Sequence, residues 1–247
     1  MRSTEIAVHP PVPVMDNSGF RIIGRGVYSL REACRLSGVP VRRIRRWTAG
    51  YRYRDKERVR YSPPVVGASL SAELGIPALD FVDLLEVRFL NAFREYGVSW
   101  NAIRIASERA QEILGIHHPF SSRRFSTDGR TILAEFVSET GDEVLLDLVR
   151  RQYELRHVVK RYLHGEIAFD GSDSPTRWWP VQKSRRIVID PQRAFGSPVV
   201  DAEGVPTRVL AAAVAAEDSV EVVSELFEVD PISVSEAAEF EFSRHVP

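Results

Sequence analysis

Four arginines lie within five residues of one another, at positions 42, 43, 45 and 46, and no acidic residue interrupts them. A guanidinium group is planar and always charged, and it can bind a phosphate or the edge of a guanine with two parallel hydrogen bonds. An exposed helical face that serves only for solubility normally mixes both signs of charge. The cluster therefore predicts an anionic partner. Binding to DNA explains it better than a basic face that is merely exposed to solvent.

The residues around the cluster predict a helix-turn-helix. Ser29, followed three residues later by Glu32, forms a capping box and predicts a helix that begins at Leu30. Gly38 is suited to end this helix in a left-handed conformation. A second helix is expected from about residue 40 to residue 47, with an apolar face turned inward and the arginines outward. A helix held in this way can enter the major groove of DNA.

Residues 51–61 predict a β-hairpin wing beside the second helix, because aromatic or aliphatic residues alternate with charged ones. Alternation alone would place Tyr51, Tyr53, Val59 and Tyr61 on one face, and Arg52, Arg54, Arg58 and Arg60 on the other. An alternative interpretation is a simple two-stranded cap on the core. The predicted DNA-binding set consists of Arg42, Arg43, Arg45, Arg46, Tyr51, Arg52, Arg54, Arg58 and Arg60.

Signatures of catalysis are absent from the sequence. It contains no glycine-rich phosphate loop, no nucleophile elbow and no Cys/His set with metal-ligand spacing. His117 and His118 are adjacent rather than one helical turn apart, so surface or capping roles are expected. The single cysteine, Cys34, belongs to an apolar helical face and is expected in the core. We therefore predict a non-enzymatic protein without a metal or cofactor.

The net charge of -1 conceals a strong segregation of charge along the chain. Residues 1–61 contain 14 Lys and Arg against 5 Asp and Glu, whereas residues 199–247 contain 2 against 11. A basic head is attracted to polyanions and an acidic tail is repelled by them, so two different partners are expected. No apolar run is long enough for a signal peptide or membrane helix, which predicts a cytoplasmic location without membrane contact.

The rest of the chain is predicted to be mainly helical with small β elements. Asp80 can cap a helix that reaches about Tyr96. Ser99 can cap a second helix that ends at Gly115 and has an apolar stripe formed by Ile103, Ala106, Ala110 and Ile113. The wide apolar face of the first predicts packing within the chain or against a second protomer. A hairpin is expected over residues 123–136, a helix over 142–163, and short strands at 167–169, 177–179 and 187–189.

Three short helices are expected near the C-terminus. Thr207 can cap residues 208–216, Ser219 can cap 220–227, and Ser233 can cap 234–241. This trihelical unit could be another helix-turn-helix, but its acidity favours binding a protein or dimerisation over binding DNA. The predicted domains are therefore a winged helix-turn-helix (1–66), a central region of helices, hairpin and small sheet that could dimerise (67–180), and an acidic trihelical domain (181–247).

Two segments resemble known families. Tyr28-Ser-Leu-Arg-Glu-Ala, Ser37-Gly-Val-Pro and Arg42-Arg-Ile-Arg-Arg-Trp47 are similar to the winged helix-turn-helix of MerR-type regulators. Ile187-Val-Ile-Asp-Pro, Gly196-Ser-Pro-Val-Val and Gly204-Val-Pro-Thr-Arg resemble a domain of unknown function common in small bacterial antitoxins. The combination resembles the long VapB-type antitoxins of toxin–antitoxin systems.

The resemblance implies an antitoxin that binds double-stranded DNA at its own promoter, represses its operon, and neutralises a PIN-domain ribonuclease toxin. The faces that could dimerise favour a homodimer. Short VapB proteins offer a disordered C-terminal arm to the toxin, whereas this C-terminal segment is predicted to fold. The acidic C-terminal domain and the pair Trp178 and Trp179 are candidates for toxin contact, although core positions are equally compatible with the two tryptophans. The alternatives are a MerR-type regulator that senses an effector without a toxin partner, and a protein-interaction scaffold.

Overall fold

The computed structural model describes residues 22–95, 97–125, 166–181 and 183–243. These parts are mainly helical with short antiparallel strand pairs, as predicted. Their helices are α1 (Leu30–Ser37), α2 (Val41–Ala49), α3 (Ser69–Leu74), α4 (Phe81–Glu95), α5 (Trp100–Leu114), α6 (Thr207–Glu217), α7 (Val220–Phe227) and α8 (Pro231–Ser243). Their strands are β1 (Tyr28–Ser29), β2 (Tyr51–Asp55), β3 (Arg58–Ser62), β4 (Ala78–Leu79), β5 (Ile167–Phe169), β6 (Pro175–Trp178), β7 (Ile187–Val188) and β8 (Val199–Val200).

The strands form four antiparallel pairs in these ranges: β1 with β4, β2 with β3, β5 with β6, and β7 with β8. A bridge between Trp178 and Ile189 joins the last two pairs, as expected for a small sheet. The pairing of β1 with β4 ties the start of the helix-turn-helix to the start of α4. The described start of the hairpin predicted from residue 123 is helical rather than extended, over residues 123–125, and the rest of that hairpin and the whole helix predicted over residues 142–163 lie outside the described residues.

Local capping signals set the ends of α1, α4 and α5. The Ser29 hydroxyl accepts a hydrogen bond from the Glu32 N–H at 3.1 Å, so α1 begins at Leu30 as predicted. The Asp80 carboxylate caps α4 by accepting from the Asp83 N–H at 2.9 Å. Ser99 caps α5 in the same way. The predicted starts of these three helices are therefore confirmed.

Helix α4 is buried around most of its circumference, which explains its wide apolar face. Leu84, Leu85 and Val87 are fully enclosed, and so are the acidic side chains of Asp83 and Glu86. Of the two packing partners considered for this face, the same chain covers it. The main core joins α1, α2, α4 and α5 to β5–β7 and to Phe240 of α8, while a second cluster fills the trihelical unit.

Three local predictions were wrong. Ile113 is 52% exposed, and Leu114 takes the buried position at the end of α5. Thr207 does not cap α6, because the helix already includes it: its N–H donates to the Pro198 carbonyl at 3.0 Å, and its buried hydroxyl donates to the Glu241 carboxylate. Helix α8 begins at Pro231 rather than after Ser233, because the Asp230 carboxylate accepts from the Ser233 N–H.

Candidate DNA interface

Helix α2 presents its arginines to solvent because its apolar residues anchor the opposite side. Ile44 is completely buried and Trp47 nearly so, which turns Arg42, Arg43, Arg45 and Arg46 outward. Gly38, with φ of 73°, provides the left-handed turn that separates α2 from α1. Pro40 precedes α2 without a side-chain cap. The predicted helix-turn-helix geometry is confirmed.

The four arginines differ in what holds them. The Arg43 guanidinium donates to the Asn91 side-chain oxygen of α4 at 2.6 Å, and the Arg46 guanidinium lies 5.0 Å from the centroid of the Tyr51 ring. Arg42 and Arg45 make neither a hydrogen bond nor an ion pair with any residue that the structure describes. Within the same ranges no acidic side chain pairs with any of the four. Their charge is therefore available to an anionic partner.

The two strands of the wing pair as predicted, but their side chains are distributed over the two faces differently from the prediction. Strands β2 and β3 pair with Arg52 opposite Tyr61 and Tyr53 opposite Arg60, and directly opposite residues share a face. One face therefore carries Arg52, Arg54, Val59 and Tyr61, and the other carries Tyr51, Tyr53, Arg58 and Arg60. The prediction that all four wing arginines share a face is wrong. The two-residue turn at 56–57 causes this, because it pairs even-numbered positions of one arm with odd-numbered positions of the other.

The wing projects from the core rather than covering it. Val59 and Tyr61 are 68% and 58% exposed on one face, and Tyr53 is 43% exposed on the other, so neither face covers the core. The interpretation of the hairpin as a core cap is therefore wrong. Gly50 allows the sharp exit from α2: its φ is 71°, and a β-carbon there would lie 2.5 Å from the Tyr61 hydroxyl oxygen.

Residues beyond the helix-turn-helix and wing also support α2. Trp100 of α5 stacks on Trp47 with ring centroids 5.6 Å apart and planes 9° apart. Arg104 donates to the Ser62 hydroxyl at 2.6 Å and thereby holds the base of the wing. Neither contact, nor that of Asn91 with Arg43, could be read from the sequence, because the partners are about 40 to 50 residues apart and carry no shared pattern.

The C-terminal segment is attached directly to the helix-turn-helix. The Val27 N–H donates to the Phe195 carbonyl at 3.2 Å, and the Tyr28 hydroxyl donates to the Gly196 carbonyl at 2.9 Å. Arg35 of α1 forms a 2.7 Å ion pair with Glu241 of α8. The basic and acidic ends of the chain are thus joined by packing and by charge.

The paired tryptophans occupy different environments. Trp178 is 1% exposed, and its indole N–H donates to the Glu166 carboxylate at 3.3 Å. It is a core residue, as one of its two interpretations predicts, and no partner protein can reach it in this fold. Trp179 is partly exposed and donates to Asp201 at 2.9 Å.

Cys34 is buried, as expected. His118, expected at the surface or in a cap, instead lies partly buried with its Nε2 atom 2.7 Å from the Asp83 carboxylate. No group of three or more His, Cys, Asp or Glu residues within the described ranges is placed to hold a metal ion. In those ranges, no helix has the length and hydrophobicity needed to span a bilayer.

Comparisons with known proteins agree with this architecture. Residues 26–107 match a family model described as a putative DNA-binding HTH domain. A protein of Mycobacterium tuberculosis (strain ATCC 25618 / H37Rv) named putative antitoxin VapB45 is 32% identical over 194 residues, which cover 72% of this chain and 78% of that protein. This chain belongs to the VapB45 antitoxin family. Its N-terminal unit is thus a helix-turn-helix of a family named for antitoxins.

The fold has also been seen in a crystal. The X-ray structure of Rv2018 from Mycobacterium tuberculosis is similar over 85% of this chain and 96% of that chain, with a TM-score of 0.63 and 24% sequence identity. At this identity the similarity concerns the fold alone. The fold of this chain therefore recurs in that protein.

Proposed function

We propose that this protein is a DNA-binding antitoxin that represses its own operon and neutralises a toxin encoded beside it. The observation that carries the DNA half is the outward row of four arginines on α2, none of which is paired with an acid among the described residues. Uncompensated positive charge on a helix of a helix-turn-helix favours binding to the phosphates and guanine edges of a major groove. Membership of the VapB45 family supports the antitoxin half.

The wing contributes one of its faces to DNA. Arg46 of α2 lies over Tyr51, and Tyr51 shares its face with Arg58 and Arg60. Because this face carries the tyrosine that lies under an α2 arginine, we infer that Arg58 and Arg60 follow the DNA backbone while Arg52 and Arg54 point away from it. Four helix contacts and two wing contacts would predict a slope of log K against log salt of roughly -5.

The C-terminal unit is the proposed toxin-binding part. Helix α7 exposes Val222 (47%) and Leu226 (67%), which are four residues apart and therefore on one helical face. Exposed acids surround them: Glu217, Asp218, Glu221, Glu225 and Glu228. An apolar centre with an acidic rim suits a protein partner whose complementary surface is basic. We infer that α7 rather than Trp178 contacts the toxin.

The toxin is proposed to be a PIN-domain ribonuclease, as the similarity to long VapB-type antitoxins implies. The protein is proposed to act as a homodimer, since a twofold protein matches a twofold operator. Its role is thus one of binding rather than catalysis.

Two variants separate the two halves of this function. Changing both Arg42 and Arg45 to alanine should weaken binding to the protein's own upstream DNA by about 1–3 kcal/mol for each base that these side chains recognise. The fold should survive, because neither side chain has a partner among the described residues. Arg208→Ala, which removes one positive charge in the acidic unit, is the control. Unchanged affinity of the double variant in fluorescence anisotropy would contradict the DNA assignment.

Leu226→Glu should abolish rescue from the growth arrest caused by the neighbouring toxin gene while leaving DNA affinity intact. Co-expression followed by affinity purification measures the complex directly. If wild-type protein neither forms that complex nor relieves the arrest, the proposal that it neutralises the toxin is wrong, even if the protein binds DNA.

A further inference from the structure

A cleft of about 410 Å³ lies between α2 and the junction of α4 with α5. Its lining is unusually rich in arginine and aromatic side chains and includes no acid: Pro40, Arg42, Arg43, Arg46, Trp47, Tyr51, Arg94 and Trp100. We call it the Arg–Trp cleft. Arg94 is the one cation of this lining that belongs neither to the helix-turn-helix nor to the wing.

The walls of the Arg–Trp cleft are held in place. Trp47 and Trp100 stack almost in parallel and form its aromatic side. Arg94 stands in the last turn of α4, where its Nη1 atom donates to the Val98 carbonyl at 2.6 Å. It makes no ion pair with any residue in the described ranges. One edge of the guanidinium is thus anchored, and its charge is not neutralised.

Electrostatics decides what this cleft can hold. Four guanidinium groups around one small space repel one another. An anion between them attracts all four and offsets that repulsion. The planar donors of arginine match phosphate oxygens in pairs. Tyr51 adds a hydroxyl donor, and the lining has no carboxylate that would exclude an anion.

We propose that the Arg–Trp cleft binds a phosphate group, with Arg94 as a binding residue that extends the anion-binding surface past the helix-turn-helix and wing. Under the proposed function, on which this step rests, the source is the backbone of the DNA strand that crosses α2. A soluble phosphate compound presents the same chemistry, and two measurements distinguish the sources.

The first measurement is the salt dependence of DNA binding. Arg94→Ala should lower affinity for the protein's upstream DNA roughly tenfold at about 0.1 M salt, and reduce the steepness of log K against log salt by about 0.9. Arg94→Lys keeps the charge and should restore most of the slope, whereas Arg208→Ala should change neither quantity. Circular dichroism melts confirm that each variant is folded.

The second measurement titrates inorganic phosphate without DNA and follows tryptophan fluorescence, which the Trp47–Trp100 pair makes sensitive to the cleft. A saturable change in wild type that disappears in Arg94→Ala, with an unaltered DNA slope, assigns the cleft to a soluble phosphate compound. An altered slope without that signal assigns it to the DNA backbone. If Arg94→Ala changes neither measurement, the phosphate site does not exist. If wild type binds no DNA, the proposed function is wrong, and the phosphate titration alone decides whether the cleft binds phosphate.

Discussion

Protonation of His118 should stabilise this fold in a pH-dependent way. The His118 side chain is 17% exposed and faces the fully buried Asp83 carboxylate. Burial alone lowers the pKa of His118, but the hydrogen bond to Asp83 and the negative charges of Glu86, Asp83 and Asp80 outweigh it and raise the pKa to about 9. The loop that follows α5 is thereby fastened by charge to α4.

The size and sign of the effect follow from linkage. A group whose folded pKa exceeds its unfolded value stabilises fully below the unfolded pKa and loses that effect as the pH rises through the folded one. For His118 the change from 6.5 to about 9 corresponds to about 3 kcal/mol. Burial also raises the pKa of Glu86, to about 7. The stabilisation that the neutral Glu86 carboxyl group gives the fold is therefore lost as the pH rises from 4.5 through 7. Both groups make the free energy of unfolding decrease toward alkaline pH.

His118→Gln tests the role of the charge, because glutamine can still donate a hydrogen bond to Asp83 but cannot be protonated. The free energy of unfolding of the variant should be about 2–3 kcal/mol lower than that of wild type at pH 6 and nearly equal to it at pH 10. Urea titrations followed by circular dichroism measure both values, and His117→Gln is the control because that neighbour is exposed. An equal penalty at both pH values, or an NMR titration of His118 centred near 6.5, would refute the reasoning.

Three further predictions concern stability. A double-mutant cycle with Arg35→Met and Glu241→Gln should give a coupling energy of roughly 1 kcal/mol, since this partly buried ion pair joins α1 to α8; additive effects would mean that the pair contributes nothing. Trp178→Ala should lower the free energy of unfolding by about 3–5 kcal/mol in urea titrations, and Trp179→Ala by clearly less, because only Trp178 is fully enclosed. Lys56→Asn should raise the melting temperature slightly, since residue 56 has φ of 54° and asparagine tolerates that conformation better.

Features encoded by neighbouring residues could be predicted from the sequence. Ser29 and Gly38 specify both ends of α1 through contacts no more than four residues apart. The same holds for Asp80 and Ser99, which cap α4 and α5. The outward direction of the α2 arginines follows from the apolar positions of Ile44 and Trp47.

Features that depend on register or distant partners could not be predicted. Alternation within each arm of the wing places arginines correctly on one face of that arm, but the length of the turn decides which faces coincide, and Lys56 and Glu57 carry no strong turn signal. Burial of Glu86 inside α4 depends on the Phe120 and Ser121 N–H groups that its carboxylate accepts from. Those partners lie more than 30 residues away, so a charged residue in an apolar helix has no local explanation.

The contacts between the two ends of the chain limit how one partner can influence the other. Glu241 accepts from both Arg35 of α1 and Thr207 of α6, so the trihelical unit and the helix-turn-helix are fastened at the same carboxylate. A toxin bound to α7 would therefore be held in a fixed relation to DNA on α2, rather than on a free arm. The excess of acids in residues 199–247 is expected to oppose DNA binding through long-range repulsion. A basic toxin that covers them should remove this repulsion and strengthen DNA binding without any change in the conformation of α2.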